Sequence, residues 1–583
     1  MSKFQIDDSG KKDQVSTLAA FRKLAPLAEG EWGNLALAMA ALLLSSGLSL
    51  LGPWLFGYAV DHYIVAKNYS GIIRMAFILV AIYLGAFGAG YLQTKVMGSV
   101  GARVLFTLRN RIFTKLQDLP VAFFTQNKAG DLIARINGDA ESLNQFFSYQ
   151  LMQFIGSIVL ILGAGIALLL LDWRIGVTAI VPALLLVGFT QILSPWVRNR
   201  NRVSRNSLGG LSAEISESLA NFKVVVAFNR QDFFRKRFGA ANQDNFKTSV
   251  SAGMSNAILT PVYSFTGTVG QFAVLAYGIY LILHGQVTIG LLLAALNYLP
   301  RFYDPMRQVA SIWTALQTAL ASWDRISPLL SMETDLFVVD GKKHDKKETL
   351  MTFDDVSFAF AEGKNVLHDV SFRLERGKAY ALVGPTGGGK TTTASLMARL
   401  FDPTGGTVFF EGRDLRSLTP EERAERIGFI LQEPFLFSGT VRDNILYGNK
   451  ELYELAGPEL LTLLKDRGLD TLLARFDEGL DTPAGDALSL GQKQLIAFMR
   501  AVLRKPDLLI LDEATANVDT LTERQLDTIL KKLSEDTTLV IIAHRLNTIK
   551  AVDEIFFVNG GTITQAGSME HAVELLKHGK RSS

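Results

Sequence analysis

Between Gly33 and Val60 the chain carries no charged side chain. Charge is also absent from Met75 until Lys95, across Ser142–Leu171 and across Ile175–Val197. After Lys247 no Asp, Glu, Lys or Arg occurs until Arg301, and that stretch breaks naturally at "HGQVT", His284–Thr288. Each piece meets the roughly 20-residue length needed to cross a bilayer core. Six transmembrane helices are predicted. A soluble bundle of long buried helices is the alternative, but six such runs in one half of a chain are hard to place in water.

The loops give an orientation. The segment after the second span carries Arg103, Arg109, Arg111 and Lys115, and the one after the fourth carries Arg198, Arg200, Arg202 and Arg205. The loops between, near Asp61–Arg74, Asp172–Arg174 and His284–Gln286, are short. A basic excess marks the long loops, and with them both termini, as cytoplasmic. The long segments keep helical periodicity beyond the membrane. A short helix is expected at the bottom of each, within Val121–Ile136 and Ser218–Gln231, where paired apolar residues suit a helix end that docks. A solvated loop with a hydrophobic pin is the plainer reading.

From a charged linker, "SMETDLFVVDGKKHDKKETL" at Ser331–Leu350, the pattern changes to alternating strands and helices, an α/β domain. The expected organisation is a segment over 1–32, a membrane domain over 33–325, a linker over 326–350 and the α/β domain over 351–583. Composition agrees with a half-membrane chain: 583 residues, 48% apolar. The net charge of +3 argues against a nucleic-acid partner. With no Cys there is no disulfide framework or thiolate metal site, which suits a reducing cytoplasm. The polar N-terminus "MSKFQIDDSGKKDQVSTL" does not read as a signal peptide.

The strongest chemical signal is "YALVGPTGGGKTTT", Tyr380–Thr393. An apolar strand runs into Gly384, Pro385, Thr386, Gly387, Gly388 and Gly389, then Lys390, Thr391 and Thr392. Glycines let backbone N–H groups close around phosphates, and a helix N-terminus adds its dipole. Lys390 reaches β- and γ-phosphates and the Thr391 hydroxyl suits Mg²⁺. In "LLILDEATANVD" a buried-strand run ends in Asp512, placed to hold Mg²⁺ through water, and Glu513, placed to polarise the attacking water. "LVIIAHRLNTI" ends a strand at His544, and "IGFILQEPFLFSG" puts Gln432 between a strand and a turn. Either residue alone is more often structural.

In order, "GPTGGGKTT", "LQEP", "LSLGQ", "LDEAT" and "AHRL" resemble the nucleotide-binding domain of ABC transporters, and the six spans with two long inner loops resemble the exporter type of membrane domain. The resemblance implies a membrane helical bundle followed by an α/β P-loop domain, with ATP and Mg²⁺ as cofactors. It implies adenine stacking on Phe360 of "VSFAFAEG", a Q-loop at Gln432, a D-loop Asp at Asp519 and a switch His at His544. It also implies a signature at Ser489, Gly491 and Gln492 that acts on the nucleotide of a second half-transporter. Gln432, with Thr391 and Asp512, is an expected metal contact.

The family's common signature is LSGGQ, and here Leu490 takes the third place. "DTPAGDA" before it is short, and "ANVD" stands where "SALD" is usual. These departures cluster on the surface facing the partner, as in one chain of heterodimeric bacterial multidrug exporters. A heterodimer is the first expectation and a homodimer the second. Expected cargo is a small amphipathic compound moved outward across a bacterial cytoplasmic membrane by alternating access; a lipid or lipid-linked precursor flippase, and less so an oligopeptide exporter, are the alternatives. In the sixth span, Asn297, Arg301 and Asp304, with Arg307, either line a substrate path or form an internal Asp304–Arg pair that fixes the bundle.

Overall fold

The computed structural model describes residues 23–332, 338–339, 349–360, 365–485, 487–512, 520–534, 536–542, 552–567, 571 and 574. The described chain falls into two compact units. One runs up to Thr114 and resumes over Leu132–Leu330; the other comprises Lys115–Asp131 and the chain from Ser331 onward.

The first unit is helical. Helix α1 (Trp32–Ala59) is prolonged by a π turn over Val60–Ile64. Helix α2 (Tyr69–Asp118) leads to the six-residue α3 (Val121–Gln126), which groups with the second unit. The third span is assembled from α4 (Ala129–Ala134), α5 (Ala140–Gln145) and α6 (Leu151–Leu171), joined by π turns. Helix α7 (Trp173–Ala220) ends at the six-residue α8 (Phe222–Ala227), from which α9 (Gln231–Ala257) and α10 (Leu259–Leu283) return. Helix α11 (Ile289–Ser331) closes the set. Short helices therefore occur within both inner segments where the apolar pairs suggested them.

Among the described residues, five runs are long and apolar enough to cross a membrane: Trp32–Ile64, Tyr69–Asp118, Ala129–Leu171, Trp173–Ala220 and Gln231–Leu283. The sixth, α11, has the length, 43 residues, but Asn297, Arg301, Asp304 and Arg307 interrupt its apolar run.

Contacts inside this unit follow small residues, as expected where lipid removes the hydrophobic drive between helices. A Cβ on Gly57 of α1 would lie 2.5 Å from the Gly290 carbonyl oxygen of α11. One turn on, Asp61 caps α11: its carboxylate accepts from Gly290 N at 2.8 Å and from Thr288 Oγ1 at 2.5 Å. Tyr303 donates to the Ala179 carbonyl at 2.6 Å, tying α11 to α7. Asp172 turns the chain between α6 and α7 by accepting from Arg174 N at 2.8 Å. Of the aromatic residues in the spans, Phe87, Phe265 and Phe272 are exposed as lipid-facing residues are, whereas Tyr298 is buried.

In the second unit, β1 (Thr349–Ala359), β2 (Asn365–Glu375), β4 (Gly405–Phe410) and β5 (Arg413–Asp414) form an antiparallel sheet in the order β2-β1-β4-β5. A mainly parallel sheet contains β3 (Ala379–Val383), β6 (Ile427–Ile430), β9 (Leu508–Asp512), β10 (Thr538–Ile542), β11 (Glu554–Asn559) and β12 (Thr562–Gln565), in the order β12-β11-β3-β10-β9-β6. A small ladder pairs β7 (Gly439–Thr440) with β8 (Pro483–Ala484). Every residue of β3 and β9 is buried, which explains why these strands read as unbroken apolar runs rather than alternating ones. Helices α12 (Lys390–Met397), α13 (Pro420–Arg426), α14 (Val441–Leu446), α15 (Leu490–Val502) and α16 (Thr520–Leu533) complete the parts used below.

Candidate functional site

Strands β3, β10, β9 and β6 run parallel and adjacent, so the segments leaving their C-terminal ends meet along one edge. Ligands of open parallel sheets bind at that edge. The Gly-rich loop follows β3, Asp512 ends β9, and Gln432 lies two residues past β6. At about 4.8 Å per strand, β3 and β9 stand roughly 10 Å apart, the span of a polyphosphate with its metal. Glu513, Asp519 and His544 lie outside the described residues; the strands that lead to them, β9 and β10, pair Asp512 with Ile542 at this same edge.

The loop's shape depends on missing side chains. Gly384 has φ 147° and Gly389 has φ 114°, a region L side chains rarely adopt. A Cβ on Gly384 would collide with the Val558 carbonyl oxygen of β11, and one on Gly389 would lie 2.8 Å from Leu367 Cδ2. The loop is thus pressed against β11 and β2 and opens on its other side. Pro385, Thr386 and Gly387 are exposed there, whereas Gly388 is buried, its carbonyl accepting from Gly561 N at 3.1 Å. Lys390, only 5% exposed, directs Nζ back over the loop to the Gly384 and Pro385 carbonyls at 2.9 and 3.0 Å. The ammonium therefore sits at the mouth of the cradle. Thr391, at the start of α12, is exposed and Thr392 half-buried. A glycine cradle, a helix N-terminus, a lysine at its mouth and a buried carboxylate at the end of β9, two strands over, fit a nucleoside triphosphate and a divalent ion.

Phe360 is 49% exposed. Its ring meets Phe358 at 4.9 Å and Phe401 at 5.3 Å, edge-on in both cases. These contacts hold the ring in place, and its exposed part is where the resemblance expects a base.

Ser489 is the N-cap of α15, in a reciprocal box with Gln492: Gln492 N donates to Ser489 Oγ at 3.2 Å and Ser489 N donates to Gln492 Oε1 at 2.9 Å. Gln492 Nε2 also donates to the Arg475 carbonyl at 3.0 Å. Gln492 therefore acts on the helix start, and such a cap is worth about 1 kcal/mol. Ser489 Oγ keeps its own proton to donate. Gly491 is buried, and Leu490 projects outward at 44% exposure, which leaves the helix N-terminus open.

The segment after Gln432 is held from within. Asn444 of α14, fully buried, accepts from Phe437 N and donates to Phe437 O, each at 2.9 Å. Arg500 of α15 donates to the carbonyls of Asn444 and Phe435 and to the Asn444 amide oxygen. Burial pulls the Arg500 pKa down from the ordinary guanidinium value, and these acceptors offset part of that cost. Sequence reasoning missed both residues. A lone Asn inside "VRDNIL" carries no periodic signal, and Arg500 is 56 residues away from it.

In the membrane unit, Tyr263, Ser264, Thr268, Gln271, Asp304 and Arg307 line a cavity of about 260 Å³ between α10 and α11. Asn297 and Arg301 are outside it. Asn297 donates to the Leu293 carbonyl and Arg301 to the Asn297 carbonyl, both at 2.9 Å, so each is tied to its own helix. Among the described residues Asp304 makes no ion pair with an arginine.

With this geometry in place, comparison with known proteins gives a consistent result. The family model described as ABC transporter transmembrane region matches residues 35–306, and that described as ABC transporter matches 367–516. A Bacillus subtilis (strain 168) protein named uncharacterized ABC transporter ATP-binding protein YfiC is 32% identical over 575 residues, covering 96% of this chain and 93% of its own. A multidrug resistance ABC transporter ATP-binding and permease protein of Lactococcus lactis subsp. lactis (strain IL1403) is 30% identical, over 85% of this chain and 84% of its own. A bacterial Atm1-family ABC exporter solved with ATP bound shares the fold, with a TM-score of 0.76 at 23% identity over 94% of this chain and 96% of that one.

Proposed function

The chain belongs to the ABC transporter family, as a half-transporter with one exporter-type membrane domain and one ATP-binding domain, and on that premise we propose how its own residues do the work. Lys390 and the amides of Gly384–Gly389 hold the ATP phosphates, and Phe360 stacks on the base. Thr391, Asp512 and Gln432 hold Mg²⁺. When bound there, the ion would supply positive charge for the transferred phosphoryl group; Glu513 orients the attacking water and His544 contacts the γ-phosphate. Ser489 and the N-terminus of α15, together with the D-loop residue Asp519, act on the ATP of a second half-transporter. The observation that carries this reading is the convergence of the Gly-rich loop, Asp512 and Gln432 at one edge of the parallel sheet.

The chain sits in a bacterial cytoplasmic membrane with its nucleotide domain and both termini inside, consistent with the basic loops at Arg103–Lys115 and Arg198–Arg205. The cargo is a small amphipathic compound, exported outward; Asp304 and Arg307 meet its polar end and the aromatic and aliphatic lining its apolar part. The partner is a different half-transporter, because Leu490 and "ANVD" alter the face turned to the partner and leave the groups acting on this chain's own nucleotide intact.

Inside-out vesicles holding the transporter should accumulate an amphipathic dye against its gradient when given ATP. Glu513→Gln should keep ATP binding and cut turnover at least ~100-fold, the scale of a lost general base. Dissipation of an existing gradient in place of uphill uptake would identify a channel. A purified single chain that forms dimers with full transport-coupled ATPase activity would refute the heterodimer.

A further inference from the structure

Helix α15 carries Ser489 at one end and Arg500 at the other, eleven residues or about 16 Å apart at helical rise. Thirteen residues of unbroken helix, buried along Leu495, Ile496, Phe498, Met499 and Val502, make it a stiff rod. At the far end Arg500 grips the backbone that follows Gln432. Nε donates to Asn444 O at 2.8 Å, one terminal nitrogen to Asn444 Oδ1 at 2.9 Å, and the other to Phe435 O at 3.1 Å. The guanidinium also lies over Phe437 and Tyr447, 5.7 and 5.5 Å from their ring centres. Asn444 supplies the second clamp, with both backbone groups of Phe437 and the Thr440 carbonyl bonded to its amide.

We propose that Arg500, with Asn444, is a positioning residue that locks the Gln432 segment to the signature helix, so that a shift of Gln432 over this chain's own ATP moves Ser489 over the partner's. Every donor of the fork used here lands on a carbonyl-type oxygen of the segment Phe435–Asn444. Charge-assisted bonds of this kind are stronger than neutral ones, and a planar fork fixes direction as well as distance. If the segment moves while the rod stays, a half-buried guanidinium loses its acceptors. The rod therefore follows the segment. Neither residue touches nucleotide in this reading, which rests on the roles proposed for Gln432 and Ser489.

The test uses the assembled transporter in lipid, with ATP turnover measured per folded molecule and own-site affinity measured with a fluorescent ATP analogue. Arg500→Lys keeps charge and stem, but a single ammonium cannot reach three acceptors set around a planar fork. Turnover in Arg500→Lys and Asn444→Ala should fall about ten-fold while own-site affinity and KM for ATP stay within about two-fold, the pattern of a lost transition-state arrangement. Turnover at the wild-type rate in Arg500→Lys overturns the proposal. So does loss of folded protein in every variant with normal turnover in what survives, because Arg500 then serves stability alone. Gln432→Ala is the parallel control. If it leaves turnover intact, the site reading fails whatever Arg500 does; if it is inactive while Arg500→Lys is normal, only the proposed linkage fails.

Discussion

Asp139 and Arg325 stand 186 residues apart in the chain and meet as a two-pronged ion pair, with Arg325 Nε 2.9 Å from Asp139 Oδ2 and a terminal nitrogen on Oδ1. Ser322 adds a third donor to the same carboxylate at 3.0 Å. The pair joins the π turn below the third span to the end of α11. Burial is unequal: Asp139 is 8% exposed, whereas the Arg325 side chain is 44% exposed. Arg325→Ala should therefore cost more than Asp139→Ala, since the first strands a buried carboxylate and the second leaves an arginine that water can reach. With one partner so exposed, the coupling from a double-mutant cycle should be about 1 kcal/mol. Thermal unfolding of the four proteins in one detergent checks the order; equal losses would contradict it.

Gly384→Ala tests the loop. A methyl there meets the Val558 carbonyl, and the backbone has φ 147°. The loop must back away from β11, opening the cradle. ATP affinity should fall at least ~10-fold, more than 1.4 kcal/mol. The melting temperature without nucleotide should move little by comparison, because the loop leaves β3 at its end. Unchanged affinity for a fluorescent ATP analogue would contradict the fit.

Leu490→Glu separates the two faces of the chain. Position 490 is the first residue of α15, where a carboxylate favours the helix by roughly 0.3–1 kcal/mol, so folding should be preserved. The same charge repels a phosphate brought to Ser489. Turnover of the assembled transporter should fall at least about ten-fold while the chain's own ATP affinity is unchanged. A matching loss of own-site affinity would place the signature on the wrong nucleotide.

Acid should loosen the antiparallel sheet through Asp414. Burial raises this carboxyl's pKa, but hydrogen bonds from the Arg416 guanidinium and Arg416 N outweigh it, so the net shift is below the ordinary 3.8. A depressed folded-state pKa gives stability that is full above the unfolded value and is lost as pH falls through the folded one. The window is therefore below about pH 4. Asp414→Asn should cost about 1–2 kcal/mol at pH 7 and flatten the acid limb of the unfolding profile. A limb as steep as the wild type's would assign the acid sensitivity to other groups.

How far the sequence could be read depended on distance along the chain. The phosphate loop was legible because cradle, lysine and helix start occupy one short stretch after a buried strand. Its convergence with Asp512 and Gln432 was legible because each follows an apolar run, and parallel strands bring their ends to one edge. The spans were legible from missing charge, although the charges of α11 put it below the hydropathy of the others. Long-range polar pairs were not legible: Asn444 with Arg500 and Asp139 with Arg325 depend on how helices pack. Asn297, Arg301 and Asp304 read as one group, but only Asp304 reaches the cavity, because the other two bond along their own helix. Leu490 was legible as a departure from the common signature, and its outward direction, which follows from the cap geometry at Ser489, was not.

Phe360 stands on edge contacts from Phe358 and Phe401, a flat aromatic shelf with no amide or hydroxyl of its own. Such a shelf weighs a purine by ring area and takes no account of the groups on its rim. On the role proposed for it, Phe360 supplies stacking without base-specific hydrogen bonds, so any preference between purines has to come from other groups.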